Sequence, residues 1–367
     1  MEQKWPAARI IHLVGGCRAL VNQDKIVHFL PITIEGKEWQ FEANDYYGVY
    51  QDLKSLGVQI VGVDFYSHDL EIDGCVPPDW RTYFSREGKT FWSAEETTRK
   101  WRNISNAGFK KKDGILWDTA SRISHQLRAC DWRLRDISEA YSNQLLAKLK
   151  QKDFIVGTEY ADGFTRLTYL SLQSFLVDAC ILRDYLSEFA AEYLYKDMID
   201  FKKTRITTMS NLRKYVLKNI SVPDKLTREL QIASDDKGWL TLLGNYRNLI
   251  VHSAPLTQAN VQPLSLCRQL KIIDGVNIPI LHCPIPEKPN EILTARSTGV
   301  YFDNFSNQLN SFAKAATGNI PTIDGIEYAI TVLEKLVFLA EEIAKRSLVA
   351  PEPLIFNGSN SKIIDNL

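Results

Sequence analysis

Between residues 116 and 141 eight apolar side chains, Leu116, Ala120, Ile123, Leu127, Cys130, Leu134, Ile137 and Tyr141, recur at alternating steps of four and three. Only a helix brings such positions onto one stripe, so the spacing predicts an amphipathic helix of about ten turns starting near residue 114. A helix this long needs other helices against its stripe. The chain supplies them. After a break at Gly157 to Gly163, a second helix is expected from about Phe164 to Tyr195, apolar nearly all round between Phe175 and Leu182 and therefore deeply buried. A third should start near Asp235 or Asp236, either of which can cap it, and stop at Pro255. A fourth is expected over Gly325 to Ala344, with Ile326, Ile330, Leu333, Val337, Ala340 and Ala344 as its stripe.

The connections differ in character. A basic connector (Lys202, Lys203, Arg205, Arg213, Lys214, Lys218) leads to a turn at Ser221 to Asp224. Residues 256 to 322 read as an irregular insertion containing a hairpin around Asp274-Gly275 and a further helix from Tyr301 to Ala316. Ahead of the helices the pattern is mixed. Short β-branched and aromatic runs at Arg9 to Val14, Ile26 to Ile34, Trp39 to Ala43 and Gln59 to Tyr66 suggest strands, and Asp45 to Leu56 an amphipathic helix. Gly15-Gly16 lacks the third glycine and the Lys-Ser/Thr of a phosphate loop, and reads as a turn. The fold class expected is therefore mainly α with an N-terminal α+β portion. Residues 1 to 112 would form the front unit and 113 to 348 a four-helix bundle with an insertion between its third and fourth helices. Residues 349 to 367 would be a loosely held tail.

Charge and cysteine usage exclude several classes. The 44 Lys and Arg balance 44 Asp and Glu, so the chain is not a basic nucleic-acid coat, and any such contact needs local segregation of charge. The six cysteines are far apart with no C-x-x-C pair, which argues against a structural zinc site and a disulfide framework. No metal and no cofactor is expected. The N-terminal residues lack a secretory signal layout and no apolar run reaches a membrane span, so a cytoplasmic protein without membrane contact is expected.

The third helix carries the chemistry. It reads Trp239-Leu-Thr-Leu-Leu-Gly-Asn-Tyr-Arg-Asn-Leu-Ile-Val-His-Ser-Ala-Pro255, and a stripe drawn through Leu240, Leu243 and Ile250 passes through Arg247. An arginine there should face a carboxylate, a cleft or a subunit interface, because desolvating an unpaired charge costs several kcal/mol. His252 lies in the last turn, and Asn248, four residues earlier, shares its face and could hold one tautomer. Arginine offers a permanently charged planar donor for phosphodiester oxygens and histidine moves protons, while RNA brings its own 2′-OH nucleophile. The same spacing also accommodates a salt-bridged Arg247 and a His252 that caps the helix.

The segment Tyr246-Arg247-Asn248-Leu249-Ile250-Val251-His252 resembles the R-x(4–6)-H motif of the HEPN superfamily, including the polar residue directly after the arginine. The likeness covers about residues 114 to 348. It implies a four-helix bundle whose two copies meet in a homodimer and form a metal-independent RNA-cleaving site. Arg247 would stabilise charge on the phosphorane, His252 would move a proton at the 2′-OH or the leaving 5′ oxygen, and Asn248 would orient the histidine or touch phosphate. A toxin or antiviral effector role follows from the same likeness, with a regulatory or antitoxin protein as a further partner. One position departs. HEPN toxins modified by a partner nucleotidyltransferase carry a Tyr two residues after the His, where this chain has Ala254.

Weaker signals surround this motif. Asp178, alone in an apolar run, is a candidate to pair with Arg247, or with another basic residue. Residues 79 to 135 hold 13 Lys and Arg against 7 Asp and Glu, with five of the eight tryptophans. There Arg99, Lys100, Arg102, Lys110, Lys111 and Lys112 are candidates for RNA contact, or a solvated loop. Trp117 reads as a core or interface residue, and His12, His28 and His68 show no partner pattern. Two other functions compete: a non-catalytic HEPN-like module that dimerises or binds nucleotides or RNA, and an enzyme whose site lies in the front unit.

Overall fold

A computed structural model describes residues 9–22, 25–86, 89–198, 205–253, 256, 263–273, 275–298, 323–347 and 349–353. The chain opens with strands β1 (Arg9–Leu13), β2 (Arg18–Val21), β3 (Ile26–Leu30) and β4 (Gln40–Glu42), then helix α1 (Tyr46–Ser55) and strand β5 (Ile60–Phe65). A short turn of helix, α2 (Asp69–Ile72), leads to β6 (Asp79–Arg86) and β7 (Lys89–Trp92). Helices α3 (Ser93–Lys111), α4 (Gly114–Lys150) and, after the two-residue β8 (Glu159–Tyr160), α5 (Gly163–Phe189) follow. Short helices α6 (Met209–Tyr215) and α7 (Lys225–Ala233) precede α8 (Trp239–Ser253). The insertion contributes β9 (Ser265–Ile273), β10 (Val276–His282), β11 (Pro284–Ile285) and α9 (Pro289–Thr298), and β12 (Ile323–Asp324) runs into α10 (Gly325–Lys345).

The seven strands of the front unit form one antiparallel sheet in the order β4-β3-β2-β1-β5-β6-β7. β1 is buried on both faces. Ile11 and Leu13 point to one side, and His12 between them points to α4, where it meets Ser138. The sequence showed four of these strands. β2, β6 and β7 were not legible, and neither was α3, whose inward face includes the small polar residues Thr97, Thr98 and Ser105.

α4 is the spine. All eight residues of its apolar stripe are fully buried, and Asp113 caps its start by accepting from the Leu116 N–H at 3.0 Å. α3 and α5 flank it, and α10 packs against α3, α4 and α5. α5 begins with a capping box between Asp162 and Thr165 and ends in a wider helical turn over Ala190–Leu194. The four long helices expected from the apolar spacing are therefore present, and α3 is a further one. The buried residues run without a break from the sheet into the helices.

Beside the apolar stripe α4 carries a second buried face that is polar. Asp131 accepts from the Thr82 hydroxyl, and its backbone carbonyl accepts from Trp80 Nε1 at 3.0 Å. Burial outweighs these hydrogen bonds and pushes the Asp131 carboxyl up to about 7. Ser138 meets His12, and Arg135 reaches Asp64 on β5. Sheet and helix thus join through named polar pairs.

Three sequence expectations need correction or placement. Asp235 and Asp236 do not cap α8: both are ion-paired to Arg213, and the helix starts at Trp239. The hairpin lies at β9–β10, with Gly275 at φ +78° in its turn; it is longer than foreseen because β9 already begins at Ser265, and β8 adds a short third strand at its edge. The helix expected at Tyr301 to Ala316, Lys202, Lys203, Ala254, Pro255 and the tail beyond residue 353 lie outside the described residues. Among the described residues no helix is long and apolar enough to cross a membrane.

Gly15 and Gly16 do form a turn, and they do more. Both have positive φ, and a Cβ on Gly16 would lie 2.7 Å from the Tyr141 carbonyl oxygen of α4. A methyl group there meets backbone that cannot swing aside. Gly16→Ala is expected to lower stability by roughly 1–3 kcal/mol, from positive-φ strain and overpacking. Urea unfolding followed by circular dichroism measures it, and an unchanged midpoint would contradict the contact.

Candidate functional site

α8 is set by what its inner face meets. Leu240, Leu243, Tyr246 and Leu249 are fully buried. Cys180 of α5 approaches the Leu243 carbonyl at 3.5 Å, and Arg183 donates to the Leu240 carbonyl at 3.2 Å. Gly244 admits the Arg183 guanidinium, which a Cβ would meet at 2.6 Å. Nearer the end of the helix, the Tyr246 hydroxyl donates to the Pro286 carbonyl at 2.6 Å, and its ring lies 4.8 Å from that of Tyr328.

This inner face corrects the stripe drawn from sequence. Tyr246, not Arg247, continues the row from Leu240 and Leu243, and Arg247 is exposed. Both rows satisfy helical spacing. The tyrosine goes inward because its ring packs on Tyr328 and its hydroxyl finds a carbonyl from the insertion. Arg247, Asn248, Val251 and His252 consequently share the outward face of the last two turns, with Asn248 half-buried and the others exposed. The Arg247 guanidinium donates to Asn248 Oδ1 at 3.3 Å, and among the described residues it has no carboxylate partner. Asp178 does not serve it. That carboxylate accepts from Gln126 and from Arg133 Nε, each at 2.9 Å, and so ties α5 to α4.

The basic candidates lie on α3 and its end, not in a loop. Lys100 is 3.5 Å from Glu341 and Lys110 is 2.7 Å from Glu352. Arg99, Arg102, Lys111 and Lys112 are exposed, with no ion pair among the described residues. Trp117, read from sequence as core or interface, is half exposed in the first turn of α4.

The structure also assembles a cluster that spacing could not show. His12 Nε2 lies 3.1 Å from Asp64 Oδ2, and His12 Nδ1 3.1 Å from Ser138 Oγ. Arg135 donates twice to Asp64, at 2.8 Å each, and Arg18 pairs with Glu139. A Ser–His–Asp chain usually suggests a nucleophile, but Ser138 is only 1% exposed, so no substrate reaches its hydroxyl. Donor atoms of His12, Asp64 and Glu139 lie within 4.8 Å of one another, close enough for a cation. Both carboxylates, however, already hold an arginine, and a cation would have to displace them. The cluster reads as an internal ion network joining β1, β2 and β5 to α4. The one trace in sequence was Arg135 and Glu139 at i, i+4; their partners come from strands far away in the chain.

Comparison of the chain with protein-family models, curated proteins and solved structures returns no match.

Burial holds His12 below its ordinary value of 6.5, against the raising effect of Asp64. Its unfolded form therefore binds more protons as pH falls below that value, and stability drops in that window. Asp131, raised by burial, pulls the opposite way, so the informative quantity is variant against parent. Relative to the parent, His12→Gln is expected to gain stability as pH falls from 7 to 5. Arg135→Ala, which leaves Asp64 buried beside a neutral histidine, should cost roughly 3–5 kcal/mol at pH 7. Chemical denaturation across the pH range measures both, and parallel curves for parent and His12→Gln would refute the linkage.

Proposed function

We propose that this protein is a metal-independent endoribonuclease of the HEPN kind, with Arg247, Asn248 and His252 as its working residues and a second copy of the chain completing the site. The observation that carries the reading is the outward face of α8. A guanidinium without a carboxylate partner among the described residues stands there beside an amide, on the same face as an exposed histidine. A structural arginine would be expected to hold a carboxylate. This one is left able to bind an anion from outside.

The chemistry follows from the groups. His252 takes the proton from the ribose 2′-OH, and the 2′ oxygen attacks the adjacent phosphorus. The bond to the 5′ oxygen breaks, and that oxygen leaves with a proton supplied by the histidine of the second copy. Arg247 neutralises the charge that builds on the non-bridging oxygens, and Asn248 positions Arg247 through the contact already present. The products are a 2′,3′-cyclic phosphate and a 5′-hydroxyl. A role as toxin or antiviral effector, held in check by a regulatory protein, is consistent with such an activity.

Purified protein incubated with mixed-sequence RNA in EDTA should cut it. His252→Ala should lower the rate by about 10²- to 10⁴-fold, the usual contribution of a general acid or base. Arg247→Ala should do likewise, and Arg247→Lys should restore little, since an ammonium lacks the bidentate fork. Cleavage that survives both alanine substitutions would sink the proposal.

A further inference from the structure

The corner between α3 and α4 is built around a close backbone approach. A Cβ on Gly108 would lie 2.8 Å from the Trp117 backbone nitrogen, so only glycine allows α3 to come this near. The Ser105 hydroxyl donates to the Trp117 carbonyl at 3.0 Å, and Lys112, at φ +57°, turns the chain out of α3. This construction places Phe109 next to Trp117, with ring centroids 6.5 Å apart and planes tilted by 56°.

Neither ring is used by the core. Phe109 is 67% exposed, Trp117 49% and the neighbouring Ile115 56%. A tilted pair is not a face-to-face stack, so the rings do not cover one another's faces. Lys110, Lys111 and Lys112 follow Phe109 directly in the chain, and Arg102 lies two helical turns before it on the same side of α3. The nearby acids are already engaged: Asp113 caps α4 and accepts from the Tyr193 hydroxyl, Asp118 pairs with Arg122, and Glu352 pairs with Lys110. Arg102, Lys111 and Lys112 remain without an ion pair among the described residues.

We propose that this α3–α4 elbow is a binding site for single-stranded RNA, in which Phe109 and Trp117 stack on unpaired bases while Arg102, Lys111 and Lys112 hold the flanking phosphates. Exposed aromatic faces beside unpaired cations match the two parts of a single strand, base and phosphate. A duplex hides its base faces and offers only the second. An anionic membrane would also attract cations and aromatics, but it calls for a continuous apolar face. The elbow instead presents three side chains at a bend. The site involves none of the α8 residues, so it stands or falls separately from the cleavage reading.

The test uses the full chain carrying His252→Ala, so that RNA stays intact, and a fluorescein-labelled mixed-sequence RNA 12-mer followed by anisotropy. Phe109→Ala and Trp117→Ala should each weaken binding by about 5- to 150-fold, as expected for loss of one stacked base. Trp117→Phe should keep most of the affinity. Lys111→Gln and Lys112→Gln should each flatten the slope of log affinity against log salt by about 0.7. All four positions are exposed, and unchanged thermal melts would show that the fold is intact. Equal binding by all variants, or equal affinity for a duplex of the same sequence, would overturn the proposal. So would binding to phosphatidylcholine–phosphatidylserine vesicles with none to the RNA. Elbow-dependent binding with no cleavage by the parent chain would leave this site standing and remove the nuclease reading alone.

Discussion

The structure depends on one helix being buried on two faces of opposite character. The apolar stripe of α4 packs among α3, α5 and α10, which is ordinary bundle chemistry. Its adjacent face carries Asp131, Arg135, Ser138 and Glu139, and each meets a group of the sheet. Polar groups removed from water must find partners, and a missing partner costs about 1–3 kcal/mol. The sheet is therefore held in one register and one orientation against the helix, which an apolar interface would specify less sharply. Gly16 sharpens it further, because its lack of a side chain lets the turn after β1 touch the backbone of α4.

Position and freedom are divided between different parts of the molecule. His12 and Asp64 are buried against one another, and the partly exposed Arg135 closes over Asp64, so their chemistry is spent on holding the fold. Arg247, His252, Phe109 and Trp117 are the reverse. They sit on well-anchored helices, yet their side chains are exposed. Tyr246 and Leu249 fix α8 so that its outer face is presented rigidly, and Gly108 and Ser105 do the same for the elbow.

Much of the helical framework was legible because apolar periodicity survives translation into structure. The stripe from Leu116 to Tyr141 and that from Ile326 to Ala344 lie in the core. α3 escaped because several of its inward residues are threonine and serine, which read as solvent-facing until their partners are seen. β2, β6 and β7 escaped because short strands carry little periodic signal, and the hydrogen bonds that define them come from elsewhere in the chain. In α8 the motif was visible, but its orientation was not. The rows through Arg247 and through Tyr246 are both helical, and the contacts to Tyr328 and Pro286 choose between them.

What the sequence determined by itself was the set of long helices and the residues available for chemistry, since apolar spacing and residue type are local properties of the chain. It also showed that Arg247, Asn248 and His252 stand close on one helix. Which way that helix turns, that Asp178 belongs to Arg133, and that a histidine from the first strand closes an ion network with α4 were decided only in three dimensions. The reason is physical. Helical period restricts the directions a side chain can take but does not choose among them, and that choice belongs to whichever distant partner satisfies the buried group.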